Sequence, residues 1–155
     1  MRSIVAATAL LAGCVVQHSS GYPPYDGDDD GYYPPPTSGC VQDSDCGGNV
    51  CARTHQCLPA EVVRAVHVIW TVDGQPASAT TCTAAPDLGV EFLDETGYHW
   101  GYAPVPCMEG RFNIDKFPTS FVTVRLGPHD RDTGWDQTAI DSATGNATFD
   151  LSLAP

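Results

Sequence analysis

The seven cysteines are the residues of this 155-residue chain most able to do chemistry. A thiol can pair in a disulfide, ligate a metal or accept a covalent modification. Cys14 stands near the N-terminus, four cysteines are clustered with the spacing C-x5-C-x4-C-x5-C, and two more lie further along the chain. Because the number is odd, one thiol stays unpaired when the others form disulfides, and that thiol needs a separate explanation.

The N-terminus offers this explanation. Arg2 supplies a positive charge, and Ile4 to Leu11 are apolar or small apart from Thr8. Small residues then precede Cys14, which completes the pattern of a secretory signal peptide over residues 1–13. The apolar run is too short to span a bilayer as a mature helix.

The segment Leu11-Ala12-Gly13-Cys14 resembles the lipobox of bacterial lipoproteins. The resemblance implies that residues 1–13 are removed and that the Cys14 thiol is acylated, so that lipid chains such as palmitate anchor the protein in a membrane. Val15 and Val16 stand where an aspartate would favour the inner membrane, which implies the outer membrane, facing the periplasm or the cell surface. An ordinary signal peptide with a chance cysteine is the alternative.

Residues 14–39 predict a disordered tether after the lipidated cysteine. Between Gln17 and Gly39 there is no Ile, Leu, Val, Phe or Met. Such a segment cannot bury enough apolar surface to offset the entropy of ordering it. Its prolines favour an extended spacer that lifts the folded part off the lipid.

Three carboxylates within the tether raise a calcium hypothesis. Asp26, Asp28 and Asp30 match the first half of a calcium loop, but Thr37 stands where the bidentate Glu should be. The prolines that follow exclude the exiting helix. Weak calcium binding by these carboxylates remains open, and a solvated acidic linker is the default reading.

Residues 40–57 predict a small disulfide-rich module. An exported protein meets an oxidising compartment, so two disulfides are expected, with all three pairings open and zinc as a competitor. The C-x2-C knuckles usual for zinc are absent. Including Asp43, Asp45 and Gly47, the stretch resembles a short cysteine-rich repeat of bacterial lipoproteins and, in spacing, the Dickkopf-type cysteine-rich region, which implies a stapled spacer or interaction knob. The four cysteines are Cys40, Cys46, Cys51 and Cys57.

Cys82 and Cys107 remain once Cys14 is taken as lipidated and the module as internally paired. We predict that they form a disulfide. The bond would close a loop of about 25 residues and stabilise the domain by about 3 kcal/mol in the loop-entropy model.

Residues 60–155 predict a mainly β domain, a single antiparallel β-sandwich. Alternating apolar residues mark about seven short strands separated by turns, and no long helical period occurs. The arrangement of Trp70, Cys82, Phe92, Cys107 and Phe112 before the strand of Val122 and Val124 resembles immunoglobulin-like or transthyretin-like sandwiches of bacterial lipoproteins. Such folds host many functions, so the resemblance implies no activity.

Tyr98, Trp100 and Tyr102 form the best candidate ligand-binding row, because alternate residues of a strand share one face. Aromatic rows can stack sugar rings or anchor a protein partner. The favoured alternative places the row in the core, which would leave His99 and Gly101 exposed on the other face and without a role.

The composition argues for binding rather than catalysis. A formal charge of -12 excludes nucleic acid as a partner, since phosphate contacts need a basic face. The histidines show no metal-ligand spacing, no nucleophile motif occurs, and no free thiol remains. We expect a non-enzymatic envelope lipoprotein without a cofactor, with an envelope protein or polysaccharide as partner. An exported hydrolase or its accessory subunit, and a calcium-dependent adhesion element, are the alternatives.

Overall fold

The computed structural model describes residues 39–153, which form a mainly β structure with three sheets. Short 3₁₀ turns occur at Asp43–Cys46, Ala60–Val62 and Cys107–Glu109. The strands of this part of the chain are β1 (Val50–Cys51), β2 (Cys57–Leu58), β3 (Val63–Val72), β4 (Gln75–Pro76), β5 (Asp87–Asp94), β6 (His99–Pro106), β7 (Arg111–Pro118), β8 (Phe121–Pro128), β9 (Asp136–Ala139) and β10 (Asn146–Leu151).

The first four-stranded sheet is built around β3. This strand pairs in parallel with β10 along one edge, and antiparallel with β7 and β4 along the other. Val66, Val68, Trp70 and Val72 are each at most 2% exposed, so the period-two pattern of the sequence sends one face of β3 into the core.

The second four-stranded sheet has the order β6-β5-β8-β9 and is antiparallel throughout. Leu88, Val90 and Phe92 of β5 and Val124 and Leu126 of β8 are fully buried. They form one continuous apolar cluster with the buried face of β3, so the two sheets share a single core.

The prediction of a single antiparallel β-sandwich needs correction, because β10 runs parallel to β3 and residues 39–153 form three sheets. The cause lies in the turn between β9 and β10. The backbone N–H of Gly145 donates to the carbonyl of Asp141, and the chain leaves the second sheet for the edge of the first. Alternation alone predicted the strand but carries no information on its direction.

Two disulfides hold the module: Cys40–Cys51 and Cys46–Cys57. This selects one of the three open pairings, and all four sulfurs are in disulfides, which excludes them as zinc ligands in this state. In addition, the Asp43 carboxylate accepts a hydrogen bond from the backbone N–H of Cys51 at 2.9 Å.

The module is docked on β7 rather than separated from the domain. The backbone N–H of Arg53 donates to the carbonyl of Lys116 at 3.1 Å, and the Arg53 guanidinium pairs with Asp115. In return, Lys116 reaches back to the Asp43 carboxylate at 2.7 Å. The module of residues 40–57 is therefore joined to the sheets by backbone and side-chain contacts.

The third disulfide joins Cys82 to Cys107, the pair that the cysteine count predicts. Both residues are at most 3% exposed and lie at one end of the core. The indole N–H of Trp70 donates to the carbonyl of Cys107 at 2.8 Å, which satisfies its one polar group inside the core.

Candidate functional site

The predicted aromatic row divides between core and surface. Trp100 and Tyr102 on β6 are half-buried and pack against the core, whereas Tyr98 lies just before the strand and is 55% exposed. The Trp100 indole donates to the Tyr102 hydroxyl at 3.0 Å, and Tyr102 meets the edge of Phe92 at 6.2 Å between ring centroids. Two of the three residues thus have the packing role that the sequence favoured.

Burial raises the pKa of the Tyr102 hydroxyl, and the hydrogen bond from Trp100 opposes that shift. The hydroxyl therefore stays protonated at neutral pH and acts as a hydrogen-bonding end of a packed ring. Tyr98 instead contributes to a small cavity of about 130 Å³ beside Thr54 and Asp94, where the module meets the domain.

The opposite face of the second sheet presents a different site, built on two glycines. Gly89 of β5 and Gly127 of β8 are direct neighbours across the strands. The Trp135 ring lies on them so closely that a Cβ atom at Gly127 would be 2.6 Å from its Cγ, and one at Gly89 would be 2.5 Å from its Cη2. No residue other than glycine admits the ring at this distance without a shift.

The segment before β9 fixes the orientation of this ring. The Trp135 indole N–H donates to the carbonyl of Arg131 at 3.0 Å, which closes the end of the loop that follows β8. At the start of this loop, the backbone N–H of His129 donates to the carbonyl of Asp87 at 3.1 Å. The loop is thus held at both ends, and the indole is positioned by more than its contact with the sheet.

An ion pair lies beside the ring on the same face. Arg125 of β8 and Glu91 of β5 are cross-strand partners, and their side chains meet at 3.0 Å. The Arg125 guanidinium also lies 5.3 Å from the centroid of Trp135, within the range of a cation–π contact. Both side chains are partly shielded from solvent, so the pair is more rigid than a freely exposed one.

A cleft of about 270 Å³ opens next to Trp135 on this outer face. Gly101 and Ala103 of β6 and Gly89 of β5 contribute to it, and the absence of large side chains there leaves the space open. The charged and titratable residues of the lining are Glu91, His99, Tyr102, Arg125, His129, Arg131 and Asp132, so one member of the predicted aromatic row also contributes to the cleft.

This arrangement can bind a polar ligand without a chemical step. An indole offers an apolar ring face, and guanidinium and carboxylate groups offer paired donors and acceptors to hydroxyl or carboxylate groups. The volume lies just below the usual range for small-molecule pockets, about 300–1,000 Å³, which corresponds to one small ring rather than an extended ligand. The cleft therefore has the composition expected of a site for a small cyclic polar group.

A metal centre has little support in the described residues. Among residues 39–153 the one group of three metal-capable side chains is Cys40, Cys46 and Cys51, whose sulfurs lie close together because the module's disulfides pack against each other. Cys14 and the carboxylates of Asp26, Asp28 and Asp30 lie outside the described residues, so lipidation and calcium binding stay predictions.

The sequence contained a signal for the cleft that its pattern analysis did not use. Gly89, Gly101 and Gly127 stand inside strands, where a glycine often marks the close approach of another group. His99 and Gly101, predicted to be exposed and without a role, both line the cleft, and Gly101 is buried. Only the tertiary structure identifies Trp135 as the residue that lies on the glycines.

Comparison with protein-family models, with curated proteins and with solved structures finds no match to the chain. Within residues 39–153, none of the helical segments has the length and apolar character needed to cross a membrane.

Proposed function

We propose that this protein is a non-enzymatic lipoprotein of the bacterial outer membrane, anchored through Cys14, that binds an envelope ligand in the Trp135 cleft. The tether of residues 14–39 would hold the folded part away from the lipid. The finer fold we propose is a β-sandwich of the immunoglobulin-like or transthyretin-like kind. The sharing of one core by two four-stranded sheets supports it, although the parallel pairing of β10 departs from the antiparallel pattern.

The observation that carries the proposal is the seating of Trp135 on Gly89 and Gly127 beside a polar cleft. Two glycines inside neighbouring strands weaken a sheet, because each orders a flexible backbone and packs no side chain of its own. Here they create one flat shelf for an indole, with Arg125 and Glu91 held next to it. A binding role accounts for the placement of these groups together.

A polysaccharide fits this face better than a protein partner does. Protein interfaces have an apolar core at their centre. The large hydrophobic residues that are exposed in the described part of the chain do not line the cleft and are scattered over the module, β3, turns and a loop: Val41, Val62, Ile69, Tyr98 and Met108. The cleft combines charged side chains with an indole ring and small apolar residues, and a sugar ring, with its hydroxyl groups and apolar faces, has matching chemistry.

Titration of the full chain with polysaccharide and protein fractions of a bacterial envelope tests this function. We expect saturable binding of a polysaccharide fraction by calorimetry, and loss of it in Trp135→Ala with the fold retained by circular dichroism. Tyr98→Ala is the matched control, since this exposed aromatic lies outside the cleft. Binding that survives Trp135→Ala and is lost in Tyr98→Ala would place the site at the predicted row instead.

The anchor has its own test. Cys14→Ala is expected to release the protein from membranes into the soluble fraction. Cys14→Ser removes the same thiol with a smaller change in the side chain and is expected to do the same. Retention of both variants in the membrane would contradict lipidation at this residue.

An exported hydrolase is the second candidate, because Glu91, Asp132 and His99 in the cleft are side chains that hydrolases use as acids and bases. Mass spectrometry of the bound polysaccharide after prolonged incubation distinguishes the two functions. An unchanged chain length is expected for a binding protein, and fragments that disappear with Glu91→Gln would identify an enzyme.

A further inference from the structure

We infer that the Trp135 cleft is selective for an acidic sugar, one whose ring packs beside the indole and whose carboxylate is held by Arg125 together with Arg131. This inference rests on the proposed function and adds the chemical class of the ligand to it. It depends on how the cationic side chains of the chain are distributed.

Cationic residues are scarce in this chain, and two of them line the cleft. The sequence has 7 Lys and Arg residues against 19 Asp and Glu, and both Arg125 and Arg131 line this one cavity. Their charges balance those of Glu91 and Asp132, so the cleft is locally far less acidic than the chain as a whole. An anion meets less repulsion there than over the rest of an acidic surface.

Cations elsewhere in the described residues are engaged in structural contacts or, like Arg111, lie exposed on a strand outside the cleft. Arg53 and Lys116 pair with carboxylates that join the module to β7. Arg64 is partly buried and donates to the backbone carbonyl of Phe121 at 2.7 Å. At the cleft, Arg125 pairs with Glu91 and the Arg131 guanidinium donates to the backbone carbonyl of Ala84 at 3.4 Å, and both guanidinium groups also border an open cavity of about 270 Å³.

The geometry around Arg125 suits a carboxylate in particular. A guanidinium carries five N–H donors in a planar fork, and Nη1 of Arg125 donates to Glu91 at 3.0 Å. That bond and the neighbouring Trp135 ring hold the guanidinium in place, so a ligand carboxylate meets a fork that is already oriented. A sugar hydroxyl gains less from such a fork, because hydrogen bonds between charged partners are about twice as strong as neutral ones.

The ring of the ligand has its own place. Trp135 borders the cleft, while Gly101 and Ala103 of β6 place no bulky side chain in it. An aromatic ring next to a guanidinium recognises the apolar face of a sugar and its acidic group at the same time. A free carboxylate such as acetate satisfies only the second requirement and is expected to bind much more weakly.

A panel of paired oligosaccharides tests the selectivity on the full chain. The acidic members are oligomers of galacturonate, glucuronate and mannuronate, and a sialyl-lactose. Each is compared with the same sugar after methyl esterification of its carboxyl groups. Acetate is measured alone. We expect at least one acidic member to bind at least tenfold more tightly than its ester and than acetate. Arg125→Lys and Arg131→Gln should each reduce that preference, since lysine lacks the planar fork. Arg111→Gln, an exposed arginine on β7 outside the cleft, is the control.

The outcomes separate the inference from the function on which it rests. Equal binding of acids and esters that still depends on Trp135 overturns the acidic selectivity and leaves the binding function standing. If no acidic member binds while an envelope polysaccharide does, the selectivity is also overturned. If neither the panel nor any envelope fraction binds, both proposals fail. Thermal melts of each variant detect unfolding. Arg131→Gln keeps the carbonyl that accepts the Trp135 indole N–H but loses the side-chain bond to the Ala84 carbonyl, so binding is compared at a temperature where the variants stay folded. Either folded variant is sufficient for the test.

Discussion

The two faces of the sheet formed by β6, β5, β8 and β9 are built from the same strands but follow different rules. The inner face carries Phe92, Val124 and Leu126, all fully buried in one apolar cluster. On the outer face, Gly89 and Gly127 support a single indole beside an ion pair and a cleft. Large apolar side chains fill the inner face, whereas on the outer face two glycines without side chains leave the space that the Trp135 ring occupies.

The two faces also use tryptophan in different ways. Trp70 on the inner side is 2% exposed and gives its indole N–H to the carbonyl of Cys107. Trp135 on the outer side is held by backbone and glycine contacts while it borders an open cavity. The same residue type thus stabilises the core in one place and shapes a surface in the other, and substitutions should separate stability from binding.

The largest effect is expected on the inner face. Phe92→Ala removes a fully buried ring that packs on Phe117 at 4.4 Å between centroids. Loss of buried area and the cavity left behind should lower the free energy of unfolding by about 3–5 kcal/mol, measured by urea denaturation. Leu93→Ala, on the outer face of the same strand, is the control and should cost much less; an equal loss in both would show that the faces do not differ as described.

The second effect concerns the covalent closure of the core. Replacing Cys82 and Cys107 together by alanine frees a segment whose ends are 25 residues apart. The loop-entropy model gives a loss of about 3 kcal/mol in the free energy of unfolding. Ligand affinity at a temperature where the variant stays folded should be unchanged, since neither cysteine lines the cleft. A change in affinity without a change in stability would contradict the separation of core and cleft.

The third effect tests the glycine shelf directly. Gly127→Ala places a Cβ atom where the Trp135 ring lies, so either the ring or the strand must move. Overpacking of this kind costs about 1–3 kcal/mol, and the emission maximum of Trp135 should shift because its surroundings change.

Gly101→Ala is the matched control for this shelf. Its Cβ atom would meet Cγ of Glu91 at 3.6 Å, an ordinary contact, so stability should hardly change. If Gly127→Ala were as stable as Gly101→Ala and left the Trp135 emission maximum unchanged, the position of Trp135 would not depend on the two glycines beneath it.

The smallest effect is the dependence of stability on pH. The backbone N–H and the hydroxyl of Thr144, followed by the backbone N–H of Ala143, lower the pKa of Asp141 in the turn before β10. A carboxyl group with a lowered pKa in the folded state contributes stability above its unfolded pKa, and this contribution is lost as the pH falls below about 3.9. Urea midpoints between pH 2 and 6 should show a weaker decline in Asp141→Asn; identical curves would exclude a contribution from this turn.

The alternation of apolar residues predicted most of the fold. The pattern over Val66 to Val72 and over Ala147 to Leu151 marks strands whose buried residues are those observed. Period-two alternation reports which side of a strand is buried, but it is silent on the partner strand and on direction. For this reason the parallel pairing of β10 and the division into three sheets could not be deduced.

The cleft was less accessible to sequence reasoning than the core. Its residues come from β5, β6, β8 and the following loop, so their proximity depends on sheet order rather than on spacing along the chain. The row of Tyr98, Trp100 and Tyr102 attracted attention because aromatic residues are conspicuous in a sequence. The informative residues were the small ones between and beyond them, Gly89, Gly101 and Gly127, whose role appears only when Trp135 is placed.

The docking of the module on β7 has a mechanical consequence. A pull applied at Gly39 enters the fold at Cys40, and the Cys40–Cys51 and Cys46–Cys57 bonds shorten the load path through residues 40–57. Without these bonds the segment could lengthen by about 3.3–3.6 Å for every residue straightened. With them, the Cys40–Cys51 bond bypasses the intervening residues, and force reaches Arg53, whose backbone N–H bonds to Lys116 of β7. The two disulfides therefore limit how far residues 40–57 can lengthen under load.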